Sequence, residues 1–366
     1  MNLSTSKHIL RGIALAAIGF GMAACDPILD NGYENCPVGL YVSFEYDHNI
    51  ERADIFKDQV GSVTVYVYDE EEKLVASQTC ENQAGNEPLK QYGYQMHFPD
   101  LPAGSYRLVA WAHQRSYDET LADGANFVRT EVSEGTSAEA LQVRLDRTPV
   151  SRLDDTDALA RVDHQSLPLD TLWNGCNTHR VEVKKGCPSY DTLSLVRDTK
   201  MLTITLRHLD EDKKTDVNPG DYEIFIVDNN GLLGHDNLPL DDEDIVYTPF
   251  HTWTTDYRDE HGDLVERAAH FGIMTSRLMY HAEVDENALL VIRNKETGKE
   301  VAVLDLPYYL AQGRNAIDTY RYSQQEFLDR EHNYSLDFFL KGDSWKYIDL
   351  RISILSWSKR IQNVVL

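Results

Sequence analysis

Short stretches in which apolar and polar side chains alternate recur along this chain. The stretch 40–46 (LYVSFEY) is the clearest, and the same period of two residues appears at 63–67, 202–206 and 222–226. Because successive side chains of a strand point to opposite faces, this alternation predicts half-buried β-strands. Helical periodicity is scarce, and residues 324–330 (QQEFLDR) are the best candidate for a short helix. The sequence therefore predicts an all-β fold, and short strands separated by turn clusters favour a sandwich.

The chain is long enough for two domains. Without residues 1–24, which are predicted to be removed as a signal segment, 342 residues remain. This is more than one hydrophobic core usually organises. Residues 149–168 are polar and alternate poorly, so they are predicted to link a first sandwich at 37–148 to a second at 169–366. No fixed-period repeat relates the two halves. In the second half, residues 289–306 predict a hairpin whose loop contains a glycine.

Composition and charge restrict the function. Hydrophobic residues make up 42% of the chain and aromatic residues 10%, so a packed core is expected and disorder is not. The 60 acidic residues outnumber the 35 basic ones, which gives a formal net charge of −25. Such a charge repels phosphate backbones, and a nucleic-acid partner is therefore not expected.

The first 25 residues carry a secretion signal. Lys7, His8 and Arg11 form a basic end, and the apolar segment 12–21 that follows is too short to span a bilayer. The sequence Met-Ala-Ala-Cys that ends at Cys25 resembles a bacterial lipobox. That resemblance implies that residues 1–24 are removed and that Cys25 carries a diacylglycerol and an amide-linked acyl chain, which together give durable membrane attachment. The alternative is an ordinary signal peptide with an incidental cysteine.

Residues 25–36 show little pattern and are predicted to tether this lipid to the first domain. No later apolar run approaches the length of a membrane span, so membrane contact is predicted to rest on Cys25 alone.

Four cysteines remain if Cys25 is acylated: Cys36, Cys80, Cys176 and Cys187. An even number in an exported chain suggests disulfides, although three connectivities are open. The expected pairs are Cys36 with Cys80 and Cys176 with Cys187. Zinc is the rival interpretation, but neither Cys36 nor Cys80 has a neighbouring ligand at the short spacing that zinc sites use.

No catalytic, cofactor-binding or metal-binding residue is predicted. The 13 histidines contain no HExxH or other one-face ligand pair, and no GxSxG elbow is present. A triad whose members are far apart in sequence cannot be inferred, and with so many carboxylates any chosen glycosidase pair is arbitrary. We therefore expect a protein that is not an enzyme and that needs no cofactor.

Three acidic clusters contain oxygen ligands suited to calcium, at 210–212, 228–231 and 241–244. None has the alternating ligand spacing of an EF-hand loop. The cluster 228–231 (DNNG) is more simply a turn after a strand, because Asn and Gly tolerate left-handed backbone conformations.

The chain ends in an apolar β pattern. Ile348, Leu350, Ile352 and Ile354 alternate with polar residues, and Leu355 interrupts the alternation as a bulge does. Since free termini are usually polar, an apolar end predicts a strand that pairs within its own sheet or with a neighbouring subunit. The residues expected to contribute to such a subunit-pairing strand are Trp357, Ile361, Val364, Val365 and Leu366.

Several strings resemble landmarks of the FimB-type fimbrial anchor lipoproteins of anaerobic Gram-negative bacteria. In the first half these strings include 36–46, 63–69 (VTVYVYD) and 101–111 (LPAGSYRLVAW). In the second half they include 197–209 (RDTKMLTITLRHL), 228–231, 247–249, 276–279 (SRLM), 325–331 (QEFLDRE) and Trp357.

The resemblance covers essentially the whole mature chain and implies its fold and role. Members have two transthyretin-like β-sandwich domains, are lipid-anchored in the outer membrane, and hold the base of a fimbrium while limiting its length. The implied partners are the outer membrane, through the lipid, and a fimbrial stalk subunit that pairs with an edge strand.

The resemblance also implies that stalk subunits polymerise by strand exchange after cleavage at an arginine. Arg147, Arg152 and Arg161 of the predicted linker show that arginine alone does not mark such a site. The alternative function is a surface lipoprotein, or a fimbrial tip adhesin, that binds glycans or host protein.

Overall fold

The structure is a computed structural model that describes residues 38–122, 126–149, 160–316, 321–342, 344–354 and 357–364, with the backbone alone from residue 351 onward. Strands dominate, and the chain folds into two tandem β-sandwich domains, as the sequence predicted. No helix within these residues is long and apolar enough to cross a membrane.

The strands of the first half and of the segment that follows it are β1 (Gly39–Glu45), β2 (Ser62–Tyr68), β3 (Leu74–Glu81), β4 (Met96–Phe98), β5 (Gly104–His113), β6 (Phe127–Arg129), β7 (Gln142–Leu145), β8 (Arg147–Pro149), β9 (Ala160–Val162), β10 (Leu172–Cys176), β11 (Val181–Val183) and β12 (Pro188–Arg197).

The remaining strands are β13 (Lys200–His208), β14 (Tyr222–Asp228), β15 (Leu232–Gly234), β16 (Ile245–Tyr247), β17 (His251–Arg258), β18 (Leu264–Thr275), β19 (Leu289–Asn294), β20 (Glu300–Asp305), β21 (Asn333–Lys341), β22 (Ser344–Ile354) and β23 (Trp357–Val364). The α-helices are short: α1 (Phe56–Gln59), α2 (Tyr117–Ala122), α3 (Leu306–Ala311) and α4 (Gln324–Arg330).

The first sandwich is built from strands in the order β3-β2-β5-β10-β12-β1-β4, with β11 paired to β5. Its long strand β12 pairs in parallel with β1 through residues 188–194 and antiparallel with β10 through residues 195–197. Strand β12 therefore joins two layers, and a core of alternate apolar residues lies between them, including Val42, Val65, Ala110 and Leu195.

The second sandwich packs two six-stranded sheets against each other. One sheet has the order β17-β18-β13-β21-β22-β23 and the other β20-β19-β14-β16-β9-β8. Alternate residues of both sheets are buried in the core, among them Ile204, Phe338 and Ile348 from the first sheet and Ile226 and Leu290 from the second. The predicted hairpin of residues 289–306 is confirmed as the pair β19 and β20.

The predicted helix is confirmed as α4. Its N-cap is Ser323, whose hydroxyl oxygen accepts a hydrogen bond of 3.1 Å from the backbone N–H of Glu326. A serine at this position satisfies one of the unpaired N–H groups at the helix start.

The predicted domain boundary needs correction. Strands β10 and β12, which lie after residue 168, complete the first sandwich and not the second. Within the predicted linker, β9 pairs in parallel with β16 of the second sandwich, and β8 pairs with β9; residues 150–159, with Arg152, lie outside the described residues. In the described part of this segment, Pro149 and residues 160–162 belong to strands of the second sandwich.

The chain passes between the two sandwiches three times: from β5 to β8, from β9 to β10, and from β12 to β13. Strands β6 and β7, which lie on the first of these passages, form a three-stranded sheet with β15. One continuous core contains Trp111 of the first sandwich, Val143 of the small sheet and Phe271 of the second sandwich. The two sandwiches therefore share a core, which opposes a free hinge between them.

We expect a chain that ends at residue 148 to lack cooperative folding, because it loses β10 and β12 from the middle of the first sandwich and leaves β5 and β1 unpaired on one side. Thermal unfolding followed by circular dichroism, compared with the intact chain, checks this. A sharp unfolding transition of the 25–148 fragment would show that the predicted boundary is the true one.

Candidate subunit interface and interdomain junction

The end of the chain forms an edge strand. Strand β23 pairs antiparallel with β22 from Tyr347 opposite Val364 to Ile354 opposite Trp357. It is last in the strand order of its sheet, so its outer side pairs with no strand of the described chain. An edge of this kind presents unpaired backbone N–H and C=O groups to any strand that approaches.

Of the residues predicted to form a pairing strand, Trp357, Ile361 and Val364 lie in β23, whereas Val365 and Leu366 lie outside the described residues. The sequence left two interpretations open for this segment. The structure shows it in its own sheet, where its outer side pairs with no strand of the described residues. The expected bulge at Leu355 also lies outside the described residues.

Strand β22, which pairs with β23, is packed into the core of the second sandwich. Ile348 and Leu350 of β22 are buried opposite Phe338 and Leu336 of β21. Trp345 meets the ring of Phe338 edge-on, with 6.3 Å between ring centroids. Strand β22 is therefore part of the sandwich core, and β23 is one strand removed from it.

The opposite edge of the same sheet, β17, lies in a hairpin with β18. Seven of its eight residues are exposed, so the hairpin extends beyond the core. On one face, the ring of Trp253 stacks with two histidine rings. The distance between ring centroids is 5.3 Å to His251 and 4.9 Å to His270. Tyr257 lies on the same face and accepts a hydrogen bond of 2.6 Å from Arg207.

The connection from the first sandwich to the second is buried. Only Asp198 and Thr199 separate β12 from β13, and both are inaccessible to solvent. A buried link of only two residues restricts movement of the two sandwiches relative to each other.

Lys200, the first residue of β13, fixes this link through an ammonium group that is wholly buried. Its Nζ donates to three backbone carbonyl oxygens, of Arg197 at 3.0 Å, Asp329 at 3.1 Å and Glu331 at 3.1 Å. Burial lowers the pKa of Lys200 to about 8, while the three acceptors favour the charged form. The ammonium thus ties the end of β12 to α4 and to the C-cap residue of α4, Glu331.

A second set of charges surrounds the first. Arg277 donates to both carboxylate oxygens of Asp329, at 2.9 and 2.8 Å, and also to the backbone oxygen of Asn237. Burial raises the pKa of Asp329, but the hydrogen bonds and charge of Arg277 outweigh it, so the net pKa lies below the usual value. Bidentate pairing of this kind fixes both partners in orientation.

Two further carboxyl groups at the junction are costly to ionise. Asp198 accepts a hydrogen bond of 2.8 Å from Asn237, and its other oxygen has no hydrogen-bond partner among the described residues. Burial raises the pKa of Asp198 to about 7, and burial also raises the pKa of Glu331 to about 7. These groups change protonation state near neutral pH.

The sequence alone does not identify this junction as a site, although the strings that carry the family resemblance contain its residues. The strings 197–209, 276–279 and 325–331 supply Asp198, Lys200, Arg277 and Asp329. The string 228–231 supplies Asn230.

Asn230 accepts from the hydroxyl of Tyr247 at 2.5 Å and donates to the backbone oxygen of Arg277 at 2.9 Å. The backbone N–H of Ser276 in turn donates to the same hydroxyl, at 3.3 Å. The signal of this junction in the sequence was a set of charged residues next to strongly apolar strands. Their convergence depends on the tertiary fold.

The three acidic clusters do not gather into a cation site. No group of three or more histidine, cysteine or acidic side chains within the described residues could hold a metal ion. In the cluster 241–244, Asp242 pairs with the buried guanidinium of Arg147. In the cluster 210–212, Asp210 accepts a hydrogen bond of 2.6 Å from the backbone of Gly342. These carboxylates therefore have structural partners.

The expected Cys176–Cys187 disulfide is absent, and both cysteines are free thiols, as is Cys80. The pairing of β10 with β12 puts Gly175 opposite Leu195, so Cys176 lies beside Ser194. Cys187 lies directly before β12, seven residues before Ser194 in the sequence. At about 3.3 Å per strand residue this is more than ~20 Å, well beyond the ~7 Å that a disulfide spans between Cα atoms.

Cys25 and Cys36 lie outside the described residues. The lipid attachment at Cys25 and the expected Cys36–Cys80 pair therefore stay predictions.

The fold and the site together define a two-domain β-sandwich protein. Strand β23 is an edge strand of its second sandwich, and buried ion pairs and hydrogen bonds fix the junction between its domains. Residues 33–363 match the sequence profile of the Mfa2 family, described as fimbrillin-A associated anchor proteins Mfa1 and Mfa2. The match spans almost the whole chain, and the chain belongs to this family.

Individual relatives agree. The minor fimbrium anchoring subunit Mfa2 of Porphyromonas gingivalis is 24% identical over 302 residues, which cover 80% of this chain and 78% of that protein. Its solved structure superposes with a TM-score of 0.58 at 18% identity, covering 88% of this chain and 99% of that one, and this supports the fold.

Two solved structures from Bacteroides thetaiotaomicron are also similar. One is a candidate adhesin, 26% identical, with a TM-score of 0.70. The other is described as a candidate polysaccharide-binding protein and is 29% identical, with a TM-score of 0.66. Each comparison covers 89% of this chain and 98% of the other.

The raised pKa of Asp198 makes a prediction about stability. Its folded-state pKa of about 7 exceeds the unfolded value near 4, so the folded protein binds the extra proton between these pH values. The stability that protonation contributes is complete below about pH 4 and is lost as pH rises through 7. We expect Asp198→Asn, which removes the titration, to gain roughly 1–3 kcal/mol relative to wild type between pH 5 and pH 8.

Urea unfolding of both proteins across this pH range measures the difference, and Asp212→Asn, a change at an exposed residue, is the control. A constant difference between Asp198→Asn and wild type at all pH values would contradict the assignment.

Proposed function

We propose that this protein attaches the base of a fimbrium to the outer membrane, with a lipid on Cys25 at one end and strand β23 pairing with the first stalk subunit at the other. The observation that carries the proposal is the open outer edge of β23, the last strand of the chain, in a member of the anchor family. Strand addition to such an edge forms main-chain hydrogen bonds along its length.

The interior of the molecule suits this role. An attachment protein must transmit tension between its two ends without separation of its domains. The shared core, the three chain passages between sandwiches and the buried link at Asp198 and Thr199 resist separation of the domains. None of these features supplies chemistry, and each contributes rigidity.

Fimbrial length is limited by the same arrangement. In this proposal β23 is the strand that pairs with the stalk and the N-terminal end is held at the membrane, so a further stalk subunit has no pairing strand to add to. Incorporation of this protein therefore ends growth at the base.

Removal of β23 tests the pairing strand. Truncation after residue 356 is expected to abolish co-purification of the stalk protein, because the edge that the stalk would pair with is gone. A chain that lacks only residues 365–366 is the matched control and is expected to retain the stalk. Thermal unfolding checks that both variants fold. Normal stalk recovery with the first truncation, in a folded protein, would refute the assignment of β23.

Lipid attachment is tested at Cys25. The Cys25→Ala variant is expected to leave the membrane fraction and to release fimbriae into the medium, since no other segment is predicted to hold the chain to the bilayer. Membrane fractionation and immunoblotting of culture supernatants measure both effects. Cys176→Ala, at a half-buried thiol, is the control, and membrane retention of Cys25→Ala equal to that of this control would contradict the proposal.

A second candidate function is glycan or host-protein binding on the β17–β18 hairpin. The observations that favour it are the exposed face with Trp253 and Tyr257 and the 29% identity to a candidate polysaccharide-binding protein. Aromatic side chains dominate recognition surfaces of this kind. Loss of glycan-array binding in Trp253→Ala, with fimbrial attachment intact, would identify this face as a separate binding site.

A further inference from the structure

One end of the first sandwich lies far from the second sandwich. Strand β12 runs from Pro188 to Arg197, and Arg197 adjoins the junction, so Pro188 lies nine residues (197 − 188), or about 30 Å, away from it. Strand β1 is parallel to β12 and starts beside it, with Gly39 opposite Pro188. Strand β4 ends at the same place, since Phe98 is opposite Leu40. The first described residues of the chain therefore lie at the end that points away from the junction.

Two adjacent lysines occupy a turn at this end. Lys184 and Lys185 lie between β11 and β12, just before Gly186, whose φ of +70° allows the chain to reverse. Both lysines are exposed, and neither forms an ion pair within the described residues. In contrast, Lys90 and Lys214 each pair with a glutamate three residues away. An ammonium group without a partner, on a flexible stem, is available to an anionic group outside the chain.

Aromatic and apolar side chains accompany the lysines. Tyr190 of β12 is 59% exposed, and its ring stacks on Tyr41 of β1 with 5.4 Å between centroids. Val38 is exposed at the start of β1, and Pro99 and Pro102 are exposed in the loop after β4. Tyrosine is enriched where proteins meet a bilayer surface, and lysine extends its charge to that surface, because both have an apolar body and a polar tip. We call the following set the N-terminal face: Val38, Pro99, Pro102, Lys184, Lys185 and Tyr190.

Acidic side chains determine which side of this end can approach an anionic surface. Glu70 and Glu71 are exposed in the turn between β2 and β3, at the opposite end of the strand order from β1 and β4. Asp100 and Glu182 are exposed in the loop after β4 and in β11. The side formed by the starts of β12 and β1 is thus the one where cationic and aromatic groups occur together.

The length of chain before the N-terminal face limits its distance from a lipid on Cys25. Thirteen residue steps (38 − 25) separate Val38 from Cys25. At 3.3–3.6 Å per residue they span at most about 45 Å. A lipid on Cys25 therefore keeps this face within that distance of the bilayer, while the second sandwich lies beyond the opposite end of β12.

We propose that the N-terminal face docks on the bilayer surface, with Lys184 and Lys185 against anionic lipid phosphates and Tyr190 at the level of the headgroups. This inference rests on the proposed lipid attachment at Cys25 and adds a second, non-covalent contact to it. Two lysines and a few apolar groups are too weak to hold a chain without a lipid. Once the lipid is inserted, the contact forms within one assembly, and its effective concentration is high.

Docking sets the orientation of the molecule on the membrane. A lipid at the end of a tether leaves the first sandwich free to tilt in any direction. Because β12 starts at the N-terminal face and leads to the junction, docking of this face directs the second sandwich, which contains β23, away from the bilayer. The strand that pairs with the stalk in the proposed attachment is then held clear of the membrane.

The exposed thiol of Cys187, directly before β12, can report on docking. The full lipidated chain, with Cys36, Cys80 and Cys176 replaced by serine, is labelled at Cys187 with a polarity-sensitive fluorophore. It is reconstituted in vesicles that contain phosphatidylglycerol and lipids with a spin label in the headgroup, which quenches a probe at the surface. In the control chain, Cys187→Ser and Glu260→Cys move the probe to the exposed turn between β17 and β18.

The expected result is quenching at Cys187 and none at Glu260→Cys. Lys184→Gln with Lys185→Gln is expected to lower the docking equilibrium constant by about thirtyfold, from about fivefold per lysine at an anionic surface, so quenching falls to the control level. Lys184→Arg with Lys185→Arg is the matched control, because it keeps both charges and should keep the quenching. All these changes are at exposed side chains, and circular dichroism checks that each chain folds.

Flotation of the vesicles separates this inference from the attachment on which it rests. Flotation of the chain with an unquenched probe at Cys187 would leave lipid attachment in place and overturn docking alone. Failure of the chain to float would overturn both. Equal quenching at Cys187 and Glu260→Cys, or in the lysine and glutamine chains, would also overturn docking, because the contact would then not depend on the N-terminal face.

Discussion

The arrangement of the two sandwiches depends on one buried ammonium group. Lys200 has no solvent contact, and its three donors are matched by three backbone carbonyls, from the last residue of β12, from α4 and from Glu331, the C-cap residue of α4. If the ammonium is removed, the backbone oxygens of Arg197, Asp329 and Glu331 each lose a donor, and Glu331 keeps the hydrogen bond of 3.2 Å from the Tyr334 hydroxyl. A buried acceptor that is left without any donor costs roughly 1–3 kcal/mol. A contact of this kind tolerates little displacement, because carbonyls from separate elements must all lie about 3 Å from one atom. It therefore fixes how the first sandwich meets the second.

The charged residues around Lys200 sharpen this constraint. Arg277 and Asp329 form a bidentate pair, and Arg277 also holds Asn237, which in turn holds Asp198 in the link itself. Each residue in this chain of contacts comes from a different part of the sequence. Buried ion pairs contribute little net stability, yet loss of one partner is costly. The network is thus better suited to specifying one domain arrangement than to adding stability, which agrees with the proposed attachment role.

Local patterns in the sequence gave the strands, and distant pairings did not follow from them. The two-residue alternation at 40–46, 63–67 and 202–206 correctly predicted β1, β2 and β13, and the cap at Ser323 accounts for the predicted helix α4. The domain boundary was wrong because β10 and β12 enter the first sandwich through pairings with β5 and β1, which no local pattern records. The Cys176–Cys187 pair was wrong for a related reason. Their short separation in sequence suggested a loop, whereas extended strands carry the two residues far apart.

Strand direction gives the molecule its mechanical character. In the proposed attachment, tension enters beside the start of β1 and leaves along β23. Strands β1 and β12 are parallel, so a pull on the N-terminal end of one and the C-terminal end of the other loads all seven residue pairs together. At the other end, a partner strand laid along β23 is loaded along its length in the same way. Hydrogen bonds that must break together resist far more force than bonds that open one at a time. The proposed attachment therefore depends on where the strands of this protein begin and end and on which way they run.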